Sequence, residues 1–271
     1  MEKNLSVVMS ETLRTVAERR EMVRKAWRNF ARGMYEITCA VNGSREKICS
    51  AVAIEGEEHL NRALAKGKGV IALSAHLGNF AMIGARLAAA GYLFNVVVKQ
   101  PRDSRLARLI DEYRARVGIK TISARPRREA ARQTLKALRR NEIVLLIADE
   151  FKSGGVEVEF FGRPARAPRG PATLALRTGA AVVPMFATRD EKDRLTLRIK
   201  PEIDLTRTED LQQDVSANTA LFTCHLEQTI RRYPDQWNWL GFRQDGRSPK
   251  RKSPAAQTNS KDQQDDSFSH V

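Results

Sequence analysis

Apolar residues recur at two periods along this chain, and the switches between them outline its elements. Over residues 3–38, Val8, Met9, Val16, Val23, Trp27, Phe30, Met34 and Ile37 stand mostly three, four or seven apart, with Arg19, Arg20, Arg24, Lys25 and Arg28 mostly between them. That spacing predicts an amphipathic helix, either one bent helix or two. Residues 55–66 open on acidic side chains, which suit the positive end of a helix dipole, and read as the next helix. Val70-Ile71-Ala72-Leu73 is short, continuous and preceded by Gly69, as a buried strand over 69–73 would be. A helix over about 79–90 closing at Gly91 follows, then a strand over 94–98. Helices are expected over 102–117 and over 127–140, the latter with Pro126 near its first turn. Residues 143–148 and 156–161 read as strands, 170–178 as a short helix, 182–186 and 194–200 as strands, and 211–233 as a long helix. Strands alternating with helices predict an α/β fold whose central sheet is mostly parallel and covered by helices.

The same pattern divides the chain. Residues 1–50 read as a helical layer of one domain, residues 51–245 as its α/β body, and residues 246–271, almost without apolar side chains, as a disordered tail. At 271 residues such a domain buries a sizeable core. No apolar run approaches the roughly 20 residues of a membrane-spanning helix. Cys39, Cys49 and Cys224 are odd in number and far apart, with no Cys-x-x-Cys. That excludes a disulfide framework or a zinc motif of the usual spacing and predicts buried free thiols.

Charge changes the picture. The formal net charge is +15, and residues 102–140 alone hold 13 Lys/Arg against 4 Asp/Glu. An anionic partner is expected: a nucleic acid, an anionic membrane face, or a phosphorylated substrate or carrier. Aromatic residues are 6% of the chain and form no basic–aromatic platform, which argues against nucleic acid.

Candidate chemistry gathers where strands end. His76-Leu77-Gly78-Asn79 follows the first predicted strand, Lys99-Gln100-Pro101-Arg102 the second, and Asp149-Glu150 the third. A parallel sheet collects such ends on one edge, where ligands bind. An imidazole, cationic side chains and carboxylates on one edge suit a hydroxyl attacking an activated acyl group near phosphates, with His76 as base and Lys or Arg holding the anion.

Several stretches resemble one family, the lipid A biosynthesis acyltransferases of Gram-negative envelopes. SAHLGNF is similar to its His-x4-acid box, and VKQPRD to its Arg-Pro segment. IADEFKSGGVEVEFFGRPARAPRGPATLALRTGAAVVPMFATR resembles its long central block, and YPDQWNW its C-terminal segment. The similarity runs from about Asn4 to Arg243. It implies a glycerolipid-acyltransferase fold and transfer of a fatty acyl chain to a hydroxyl of a lipid A precursor. The donor would be acyl carrier protein or a coenzyme A thioester, at the cytoplasmic face of the inner membrane, without metal or cofactor. Carried over, His76, Asp149 and Glu150 are the catalytic residues. Asn79, Lys99, Arg102, Arg169, Gly170 and Arg189 would bind substrate.

Three departures qualify the resemblance. The box acid would stand at position 81, which is Ala81. A histidine base without its orienting acid works less well, so Asp149 or Glu150 is expected to substitute. Glu150 replaces a Gln, and Arg166 and Arg169 replace small or hydroxyl residues, which favours a more anionic substrate. Members usually carry a membrane helix ahead of the segment that is Asn4-Leu5 here, so either the start is misassigned or the protein is peripheral, held by its basic and apolar surface. Trp237 and Trp239 read as core packing, with contact to an acyl chain as the alternative. Other readings stay open: acylation of another envelope lipid, a catalytically weakened lipid-binding relative suggested by Ala81, and a nucleic-acid binder suggested by charge alone.

Overall fold

A computed structural model gives the fold and describes residues 1–9, 12–151 and 155–239. The tail expected over 246–271 lies outside the described residues. The N-terminal periodicity resolves into two helices, α1 (Glu2–Val8) and α2 (Val16–Asn42). Thr15 separates them: its side chain accepts from the Glu18 amide, and the Glu18 carboxylate accepts from the Thr15 amide. This reciprocal cap starts a new helix instead of continuing the old one. Next come α3 (Arg45–Ala51), β1 (Ala53–Glu55), α4 (Glu57–Leu64), β2 (Val70–Ser74), α5 (Ala81–Ala89), β3 (Phe94–Val98), α6 (Ser104–Arg116) and β4 (Ile119–Ser123). The chain continues through α7 (Arg127–Arg139), β5 (Ile143–Ile147), β6 (Val156–Phe160), β7 (Arg163–Ala167), α8 (Gly170–Thr178), β8 (Ala181–Arg189), β9 (Leu195–Ile199) and α9 (Leu211–Arg232).

Seven strands form one sheet in the order β1-β9-β8-β2-β5-β3-β4. All its pairings are parallel except β8 with β9. The expectation of a mostly parallel, helix-covered sheet in a single α/β domain holds. β6 and β7 form a separate antiparallel hairpin. Every residue of β2 is buried, as a central strand covered on both faces requires. Ile71 and Leu73 face a core shared with α1, α7, α8, α9 and the hairpin, while Val70 and Ala72 face a core shared with α3, α4 and α5. Between α5 and the sheet, Gly84 permits close packing: a Cβ there would come within 2.7 Å of the Phe94 ring.

Four elements are absent from the sequence pattern: α3, β1, β4 and β7. β4 and β7 read IKTIS and RPARA, edge or hairpin strands whose apolar alternation is broken by charges and proline. The thiols are also a correction. They are unpaired, but Cys39 and Cys224 are exposed and Cys49 is half-buried. Both exposed cysteines sit on outward faces of long helices, where no core requires them.

Candidate active site

Strand register builds the site. β2 and β5 pair in parallel with Ser74 opposite Ile147. Two residues beyond each end, the same register brings His76 beside Asp149. Parallel neighbours stand about 4.8 Å apart, close enough for the side chains to meet. His76 Nδ1 lies 2.8 Å from Asp149 Oδ1. The His76 amide donates to Asp149 Oδ2 at 2.8 Å, and the Trp237 indole N–H donates to the same oxygen at 2.8 Å. Three N–H groups therefore surround one carboxylate whose side chain is 2% exposed, so its burial is compensated. An ionised acceptor at Nδ1 assigns the proton to that nitrogen and leaves the lone pair on Nε2. The His76 side chain keeps 27% exposure, and its ring meets the Phe80 ring edge-on at 5.1 Å between centroids.

The turn after β2 is clamped. The Gly78 amide donates to the Gln236 carbonyl at 2.8 Å, and the Asn238 amide to the His76 carbonyl at 3.0 Å. Gly78 has φ +58°, and a Cβ there would fall 2.0 Å from the Ala187 carbonyl oxygen, so this position requires glycine. The Asn79 amide donates to the Ala187 carbonyl at 2.9 Å. Its side-chain amide donates to Glu36 on α2 at 2.9 Å and to the Gly33 carbonyl at 3.3 Å. Glu36 also pairs with Arg189 at the end of β8. The Arg189 amide and carbonyl are both held by the Gln236 side chain, at 2.9 and 3.0 Å. α2 is tied to the same corner by Asn29, whose amide donates to the Asp235 carbonyl at 3.0 Å.

Among the residues singled out in the sequence, the structure joins His76 to Asp149, and Asn79 to Arg189 through Glu36. Asn79 and Arg189 are buried with their side chains turned into the scaffold. Glu150 is exposed beside Asp149, and Lys99 and Arg102 are exposed where β3 leads to α6. α8 feeds directly into the amino end of β8, so its own N-terminus points toward the carboxyl edge. There Arg169 and Gly170 are exposed. Ala81 is the first residue of α5. The carboxylate that meets the His76 ring is Asp149, just beyond the end of the neighbouring strand β5 and outside the box.

Sequence reasoning missed three participants. Trp237 packs edge-on against Trp239, with ring centroids 4.8 Å apart, and also supplies a hydrogen bond to Asp149. Gln236 holds Arg189, and Glu36 bridges Asn79 and Arg189. A signal existed for Glu36: a carboxylate on the inward stripe that α2 forms with Met22, Ala26, Gly33 and Ala40 needs a partner. Among the described residues, no cluster of His, Cys, Asp and Glu has the arrangement of a metal site.

The profile of a family described as bacterial lipid A biosynthesis acyltransferase matches residues 1–243. A phosphatidylinositol mannoside acyltransferase of Mycobacterium tuberculosis (strains CDC 1551 / Oshkosh and H37Rv) is 32% identical over 189 residues, 69% of this chain. That match spans 58% of the relative's length. A phosphatidylinositol mannoside acyltransferase of Mycolicibacterium smegmatis is 28% identical over 244 residues, 89% of this chain and 77% of the relative.

Proposed function

The chain belongs to the bacterial lipid A biosynthesis acyltransferase family, and from that premise we propose that it transfers a fatty acyl chain from a thioester to a sugar hydroxyl of an anionic envelope glycolipid. The observation that carries this reading is the His76–Asp149 pair on the carboxyl edge of the sheet. In the proposed reaction the acceptor hydroxyl attacks the thioester carbonyl while His76 Nε2 removes its proton. Asp149 stabilises the imidazolium that forms. The tetrahedral intermediate collapses, the carbon–sulfur bond breaks, and the thiolate leaves with the proton returned by His76. The product is an ester and a free thiol. No redox change occurs, and no metal or cofactor is required. Lys99, Arg102 and Arg169, exposed on the same edge, supply positive charge for the phosphates of donor and acceptor.

Within this class a lipid A precursor is the first acceptor proposed, with acyl carrier protein as donor. The names of the mycobacterial relatives favour a second acceptor, a phosphatidylinositol mannoside. Both carry phosphate and free sugar hydroxyls, which is the chemistry the exposed cations suit. The site of action proposed is the cytoplasmic face of the inner membrane.

The test is mass spectrometry of lipids from a bacterial host lacking its own late acyltransferases and expressing either this chain or His76→Ala. One lipid heavier by a single acyl group is expected with the parent chain only, and its fragmentation names the acceptor. No acylated lipid from either chain, or the same lipid from both, contradicts the reading.

A further inference from the structure

α2 has two apolar faces, and only one is used by the fold. Its inner stripe crosses the carboxyl edge of the sheet: Met22 and Val23 pack against one core, Ile37 and Ala40 against or within the other. Rotated away from that stripe, Trp27, Phe30 and Met34 are 49%, 59% and 52% exposed. Their spacing of three and four places them in one row. The Trp27 and Phe30 rings stand edge to face with centroids 5.9 Å apart, so the row begins as a single aromatic block. α6 packs beside α2 and has no buried residue at all. Its Leu106, Leu109 and Tyr113 are likewise exposed at intervals of three and four. Two neighbouring helices thus present six large apolar side chains to the outside, far beyond isolated surface leucines.

Arginine dominates the charge around these rows, with Glu21 and Glu112 each facing an arginine. On α2 the exposed Arg20 and Arg28 flank the aromatic block, and Arg24 between them pairs with Glu21. On α6, Arg105 is exposed beside Leu106, Arg108 faces Glu112 at 3.8 Å, and Arg116 lies 5.5 Å from the Tyr113 ring centroid. Apolar rows of Trp, Phe, Leu and Met bordered by arginine match the interfacial zone of an anionic bilayer, where acyl chains take the apolar part and phosphates the guanidinium groups. We propose that the outer face of α2 and α6 is the surface by which this protein lies on an anionic membrane. The proposal rests on the lipid-acyltransferase reading only for its purpose. It adds an orientation. The inner face of α2 holds the His76 turn through Glu36 and Asn79, so docking brings that turn to within roughly one helix diameter, about 10–12 Å, of the lipid. A glycolipid acceptor then reaches His76 without leaving the bilayer plane.

Flotation with vesicles containing no acceptor separates this idea from the catalytic one. The full chain is mixed with vesicles of phosphatidylcholine alone or of phosphatidylcholine with phosphatidylglycerol. Binding to the mixed vesicles is expected, weakening as salt is raised. Trp27→Ser/Phe30→Ser, with unchanged circular dichroism, should bind about tenfold more weakly or worse. Leu106→Ser/Leu109→Ser, on the other helix, should do the same, while His76→Ala should bind like the parent. Equal binding by both double variants overturns the proposal. So does a chain that ignores vesicles, or one whose apolar face is covered by a second copy, seen as a dimer in light scattering that Trp27→Ser/Phe30→Ser makes monomeric.

Discussion

Asp149 accepts from the His76 ring, the His76 amide and the Trp237 indole while almost wholly buried. Removing one donor without removing bulk isolates that role. Trp237→Phe keeps an aromatic ring against Phe161 and Trp239 but takes away the N–H. It should lower unfolding free energy by about 1.5–3 kcal/mol, the worth of one hydrogen bond to a charged group, measurable by urea denaturation. At this scale the sequence was partly legible. His76 stood out because a glycine-containing turn follows an apolar run, and Asp149 because it ends the most apolar strand. The sequence offered Asp149 or Glu150 in place of the acid missing at Ala81, but it could not say which of the two meets the His76 ring. The His76–Asp149 pairing spans 73 positions and depends on the β2–β5 register, which local pattern does not set.

Elements carry these residues to one corner, and some were legible for a physical reason. β2, β5 and β8 are covered on both faces, so they read as unbroken apolar runs. β4 is an edge strand with Lys120 exposed and Thr121 half-buried, and its polar residues hid it. Besides its backbone pairing with β3, an ion pair ties it to the sheet. Glu142, at the entry to β5, accepts from Asn95 of β3 at 2.7 Å and pairs with Lys120 of β4 at 3.0 Å. Burial alone would raise the Glu142 carboxyl, but the Asn95 and Lys120 interactions outweigh it and hold the group below its ordinary value of 4.5. A lowered folded-state value contributes stability that is complete above the unfolded value and lost as pH falls through the folded one. Melting temperature should therefore drop as pH is lowered below about 4.5, with part of that slope absent in Glu142→Gln. A variant with the parent's slope would show that Glu142 does not carry it.

For the whole molecule, the net charge of +15 suggested an anionic partner without saying where it binds. The fold sharpens that suggestion. Exposed basic and apolar residues lie on the neighbouring helices α2 and α6, and the inner face of α2 holds the His76 turn through Glu36 and Asn79. Among the described residues no helix is long and apolar enough to cross a membrane. The two outward rows were present in the periodicity over 3–38 and 102–117. Spacing alone does not say which apolar face of a helix finds a partner.

The claim on which the rest depends is that Asp149, and not a box carboxylate, orients His76 for acyl transfer. It is tested most directly by the rate of transfer from a labelled acyl thioester to the acceptor lipid in Asp149→Asn, Glu150→Gln and Ala81→Glu. Asp149→Asn should lose about 100-fold or more in kcat with KM little changed, because the ring loses the acceptor that fixes its tautomer. Glu150→Gln and Ala81→Glu should stay near the parent rate. Full activity in Asp149→Asn, or a large gain in Ala81→Glu, would contradict it.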